Sequence, residues 1–123
     1  GVRERASTER QVAVARDAVV RAGDRRVFLF LNVSAIHQPN CHYVPGRTTD
    51  DVETHAAALR YVDSCLPPLF AALAARGPSF WIVCSDHGTA YGEDGYSGHR
   101  LAHPTVWDVP YAEVLLPAAE TAR

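Results

Sequence analysis

The chain has 123 residues, a formal net charge of −2, 47% hydrophobic and 21% charged residues. That balance is ordinary for one folded domain and leaves no basic excess to attract nucleic acid or an anionic membrane. No apolar run approaches the roughly 18–20 residues of a membrane-spanning helix.

Residues 7–22, "STERQVAVARDAVVRA", have helical periodicity, with Val12, Ala15, Val19 and Ala22 on one side. Ser7 or Thr8 can cap this helix and Gly23 can stop it. The segment 25–34, "RRVFLFLNVS", holds a continuous apolar run from Val27 to Leu31 and reads as a strand buried on both faces. A loop over 35–49 follows. A second helix is expected from Asp50, where Asp50 and Glu53 have capping-box spacing. Its apolar stripe is Val52, Ala56, Leu59, Val62, Leu66, Leu69 and Leu73, and Pro67-Pro68 inside it predict a kink or two consecutive helices. Residues 79–85 and 109–116 read as two more strands, separated by a glycine-rich loop over 86–108. The order implies an α/β fold in which the strands at 27–31 and 79–85, joined through a helix, run parallel.

Cys41, Cys65 and Cys84 are odd in number and contain no C-x-x-C pair. They read as reduced thiols of a cytoplasmic protein. The N-terminal "GVRERASTER" is charged and has no apolar core of a secretory signal behind it.

In an open α/β sheet, ligands bind beyond the carboxyl ends of the strands. The first such loop carries His37 and His42; the second carries Asp86, His87, Glu93, Asp94, His99 and His103. Carboxylates and imidazoles are the oxygen and nitrogen donors that zinc, manganese or iron accept. A two-metal site can clamp both oxygens of a transferring phosphoryl or sulfuryl group. Plainer roles stand beside this one. Asp86 can close an Asx-turn. His37 can serve as a hydrogen-bonded loop residue, Glu93 and Asp94 as solvated carboxylates, and His55 as a helix-surface residue. His37 and His42 have zinc-like spacing, but no cysteine pair completes it. The spacing of His103, beside Pro104, decides nothing.

The stretch Ser85-Asp86-His87-Gly88, then Gly92-Glu93, Gly98-His99 and "DVPYAEVLL", resembles the sulfatase and phosphoethanolamine-transferase branch of the alkaline phosphatase superfamily. "FLFLNVSAIHQPN" and "AALRYVDSCLPPLFAAL" are similar to two further elements of that family, so the likeness covers residues 27–116. It implies a three-layer α/β sandwich with a largely parallel central sheet. It implies Asp86, His87 and His99 as metal ligands, with His37 and His99 acting on the anionic group in catalysis, and Asp63 as structural. It implies a divalent metal, zinc with manganese or calcium as alternatives, two ions in the complete enzyme, and a phosphate, phosphonate or sulfate ester as substrate. The family's nucleophile and its other metal ligands come from an N-terminal half that has no match before residue 27. Cys41 lacks the Cys-x-Pro-x-Arg context of a sulfatase nucleophile. The resemblance thus implies that the single domain 1–123 is the C-terminal portion of a larger hydrolase, inactive alone. It would dock with the missing half or form a homodimer over an exposed sheet edge. The competing reading is a non-catalytic binding module that keeps the fold.

Overall fold

A computed structural model of the chain describes residues 4–117, which divide into two units, 4–77 and 78–117.

The first unit is helical. Helix α1 spans Ser7–Arg21, α2 Val52–Cys65 and α3 Pro67–Ala74, with a 3-10 turn at Cys41–Tyr43. Val12, Ala15 and Val19 of α1 are buried as their spacing predicts, and α1 packs chiefly on α3, whose Leu69 is buried. The C-terminal end of α1 is closed by Arg76, whose guanidinium donates to the carbonyls of Val19 (3.0 Å), Gly23 and Arg25 (2.5 Å). Val19 lies in the last turns of α1, and Gly23 and Arg25 lie just beyond its end. Gly23 has φ +55°, which lets the chain leave the helix there.

Pro67 sits at the first position of α3, where its missing N–H is no loss, so the expected break falls between two consecutive helices. The cap of α2 lies one residue later than the sequence suggests. Asp51 Oδ1 accepts from Thr54 N at 2.8 Å, and Thr54 Oγ1 accepts from Asp51 N at 2.9 Å. Asp50 is released to fasten the preceding loop instead. The buried face of α2 is Thr54, Ala58, Val62 and Cys65, whereas Val52 and Leu59 are exposed. The N-terminus of α1 likewise has Ala6, not a hydroxyl residue, at its cap, with Ser7 and Thr8 buried in the first turn.

The second unit holds strands β1 (Ser79–Cys84), β2 (Ala90–Tyr91), β3 (Ser97–Gly98) and β4 (Tyr111–Leu116), a 3-10 turn at Glu93–Gly95, and the short helix α4 (Pro104–Trp107). β1 pairs antiparallel with β4, Phe80 opposite Leu115, Ile82 opposite Glu113 and Cys84 opposite Tyr111. β2 and β3 form a second, two-residue antiparallel pair. Ala90, His103 and Val106 are the buried residues of this unit.

The expected three-layer sandwich with a largely parallel central sheet is therefore overturned. The described residues contain two two-stranded antiparallel sheets and no parallel pair. A parallel pair needs a long crossover, usually through a helix. Between β1 and β4 lie instead the β2–β3 pair, the Glu93–Gly95 turn and the four-residue α4, none of which is a helix long enough to cross a sheet. The segment 26–34 is not a strand, and among the described residues no backbone–backbone hydrogen bond engages 26–33. Its side chains still alternate as on a strand: Leu29 and Leu31 are half-buried, while Phe28 and Phe30 are 94% and 79% exposed. Among the described residues no helix is long and apolar enough to cross a membrane.

Candidate functional site

Asp86 and His87 follow directly on the end of β1, as their sequence position implies. Ser85 Oγ donates to the His87 carbonyl at 2.6 Å, which bends the chain out of the strand direction. Asp86 Oδ1 accepts from His87 N at 3.0 Å, a bond to the next residue and not the Asx-turn bond to the residue two on. His87 Nδ1 lies 2.8 Å from the Gly88 carbonyl oxygen. A carbonyl can only accept, so Nδ1 carries the proton and the neutral ring keeps its lone pair on Nε2. That is how metal-binding histidines are commonly oriented. Nε2 stands 3.9 Å from Asp86 Oδ1. The ring of His99 stacks on that of His87 with centroids 4.5 Å apart and planes 22° apart.

The loop is held by α4. Gly88 N donates to the Val106 carbonyl at 2.7 Å. Val106 N in turn donates to the His103 carbonyl at 2.9 Å. The His103 side chain caps the same helix, its Nδ1 accepting from Thr105 N at 3.2 Å. Since Nδ1 accepts, the ring proton sits on Nε2 and points at Asp94 Oδ2, 3.1 Å away. His103 is buried and its ring lies 5.3 Å from that of Tyr96. Asp94 adopts φ +51°, a conformation Asp tolerates better than most residues. Glu93 Oε2 accepts from Tyr91 N at 2.5 Å. Hydrogen bonds from its own N–H and from that of Tyr91, helped by nearby His103, hold its carboxyl below the usual range. Neither carboxylate is merely solvated. The cue for His103 was in the sequence: a side-chain acceptor followed by Pro is the signature of a helix start.

His37 belongs to the first unit. Its Nδ1 faces the Gln38 carbonyl oxygen at 2.5 Å. The loop carrying it is pinned by fully buried Asn40, whose Nδ2 donates to the Ile36 carbonyl at 3.1 Å and whose Oδ1 accepts from Thr54 Oγ1 at 2.6 Å. Asp50 Oδ1 accepts from both Asn40 N and Cys41 N at 2.7 Å. Sequence reasoning missed this network because Asn40 and Thr54 carry no motif of their own. His42 packs on Tyr43, centroids 4.3 Å apart. His55 is half-buried on α2, and desolvation lowers its pKa.

Donors held tetrahedrally by one zinc ion at about 2.0–2.2 Å stand roughly 3.3–3.6 Å apart. Asp86 Oδ1 and His87 Nε2 stand 3.9 Å apart, somewhat wider than that, while the tautomer of His87 leaves its Nε2 lone pair for a cation. A zinc site also takes at least three protein donors. Among the described residues no group of three or more His, Cys, Asp or Glu is arranged to hold a metal. The second unit thus brings one carboxylate and one imidazole together, with His99 stacked on that imidazole. Compared with protein-family models, curated proteins and solved structures, the chain matches none.

Proposed function

We propose that this chain is the C-terminal part of a metal-dependent hydrolase of phosphate, phosphonate or sulfate esters, supplying metal and oxyanion ligands while the nucleophile comes from outside these residues. The observation that carries the reading is the pairing of Asp86 with His87 in its Nδ1–H tautomer, beside the stacked ring of His99. Asp86 and His87 would hold a divalent ion, zinc in the first instance. When bound, such an ion neutralises charge that develops on the transferred group. His99, the second imidazole of the cluster, stacked on His87, would act on the ion or on the non-bridging oxygens of the ester. The resemblance gives His37, through its His-x-Pro turn, a role toward the anionic group. Asp86, His87 and His99 are an incomplete ligand set without further donors.

The test is metal titration of the purified chain with Co²⁺ and Zn²⁺, followed by calorimetry and by the visible absorption of cobalt. One equivalent should bind, and Asp86→Ala and His87→Ala should each weaken it by roughly 10-fold or more. Turnover of an aryl phosphate or aryl sulfate should be negligible. No metal uptake above that of the double variant would overturn the proposal, and brisk turnover by the chain alone would overturn its division of labour.

A second reading, a non-catalytic interaction module, is favoured by the exposed Phe28, Phe30, Phe80 and Leu115. Large apolar surface of this kind marks association sites. Metal uptake that is insensitive to Asp86→Ala and His87→Ala would select it.

A further inference from the structure

The geometry points to His103 as a positioning residue for the His87–His99 pair, acting through α4 and the Gly88 peptide and not as a ligand. The inference rests on the proposed metal-ligand role of His87.

Hydrogen bonds, joined through the backbone of Thr105–Val106 and of Gly88, connect the two histidines. Asp94 Oδ2 accepts from His103 Nε2 at 3.1 Å and so fixes which ring nitrogen is unprotonated. That nitrogen, Nδ1, accepts from Thr105 N at 3.2 Å and caps α4. The capped turn presents the Val106 carbonyl, which accepts from Gly88 N at 2.7 Å. The carbonyl of the same Gly88 residue accepts from His87 Nδ1 at 2.8 Å. Each step sets the orientation of the next group, and the last sets the tautomer that leaves Nε2 of His87 able to bind a cation.

The arrangement has little slack. A Cβ on residue 88 would meet the Thr105 carbonyl oxygen at 2.0 Å, so the Gly88 backbone rests directly against α4. α4 has four residues and cannot hold its own shape without an end cap and tertiary contacts. His103 provides the cap, and buried Val106 provides the contact. Both of His103's own nitrogens are engaged within the unit, one as acceptor and one as donor. A ligand role would require one of those bonds to be given up.

His103→Ala and His103→Asn separate the possibilities, because Asn is among the best helix caps and preserves the acceptor without the imidazole. Two readouts are needed. Nitrogen-15 chemical shifts of the His87 ring report its tautomer with no metal present. Co²⁺ affinity reports the site. In the parent chain His87 should show the single Nδ1–H tautomer. His103→Ala should turn that into an averaged signal and weaken Co²⁺ about 10–100-fold, the usual effect of losing a group that orients a ligand. His103→Asn should restore the tautomer and most of the affinity. Backbone spectra of β1 and β4 provide the folding control for both variants.

A single His87 tautomer retained in folded His103→Ala overturns the relay. A tautomer retained but Co²⁺ lost in His103→Asn makes His103 a ligand and overturns the positioning role. If the parent chain takes up no Co²⁺, the functional proposal fails, yet the tautomer shift still decides whether His103 orients His87.

Discussion

Gly88 and Thr105 approach so closely that a Cβ on residue 88 would stand 2.0 Å from the Thr105 carbonyl oxygen and 3.1 Å from its carbon. The obstacle is backbone, which no rotamer change can relieve. Gly88→Ala should therefore push α4 off the loop and destabilise the second unit by about 1–3 kcal/mol, the range for overpacking. Hydrogen exchange at Gly88 and Val106 should accelerate together, while exchange in α1 should be unchanged.

Thr54 is fully buried and its hydroxyl serves both the cap of α2 and the carbonyl of Asn40. Thr54→Val keeps the shape and removes those bonds. Leaving Asn40 Oδ1 and the Asp51 N–H without this partner should lower stability by about 1–3 kcal/mol in urea denaturation. Thr54→Ser should recover most of the loss, since Ser retains the hydroxyl.

The phenol of Tyr61 is pushed up to about 12, chiefly by burial, with the Cys65 thiol adding to the rise and the Glu9 N–H opposing it. The folded pKa lies above the ordinary 10.0, so the folded chain holds this proton where the unfolded chain has lost it. The stabilisation is complete below pH 10 and disappears as pH rises through about 12. Ultraviolet titration should show one phenolate appearing last. Tyr61→Phe should flatten the loss of stability across that window.

Phe28 and Phe30 should govern the solution state of the chain. They are almost fully exposed, on a segment whose backbone makes no ladder among the described residues. Phe28→Ser with Phe30→Ser should reduce self-association in sedimentation velocity, with a change in unfolding free energy within about 0.5 kcal/mol, as at other surface positions. Association unchanged by the double substitution would place the contact elsewhere.

The parts of the fold that depend on neighbours in sequence were legible. Helix α1 follows from the spacing of Val12, Ala15 and Val19, and the break before α3 from Pro67. β1 and β4 lie where their apolar runs predict. Pairing was not legible, because a strand's direction and partner are properties of two segments. "VFLFL" has the composition of a buried strand, yet in the structure it joins no strand ladder among the described residues. The cap of α2 was displaced by one residue because Asp50 and Asp51 are both competent, and only the loop around Asn40 decides between them. In the candidate site, Asp86, His87 and His99 were marked by composition. The role of His103 depended on a hydrogen bond to its own helix, which becomes readable once Pro104 is taken as the first helical residue.

Arg76 reaches carbonyls 51 to 57 residues earlier in the chain. One side chain thus closes a loop that contains the His37 turn, the Asn40 network and all of α2. Closing a loop of that length is entropically expensive and cannot precede the docking of α3 on α1. The Arg76 contacts are therefore expected late in folding, with substitutions there speeding unfolding more than they slow folding. The C-terminal end of α1 acts as a latch, and the intervening chain is secured only when it shuts.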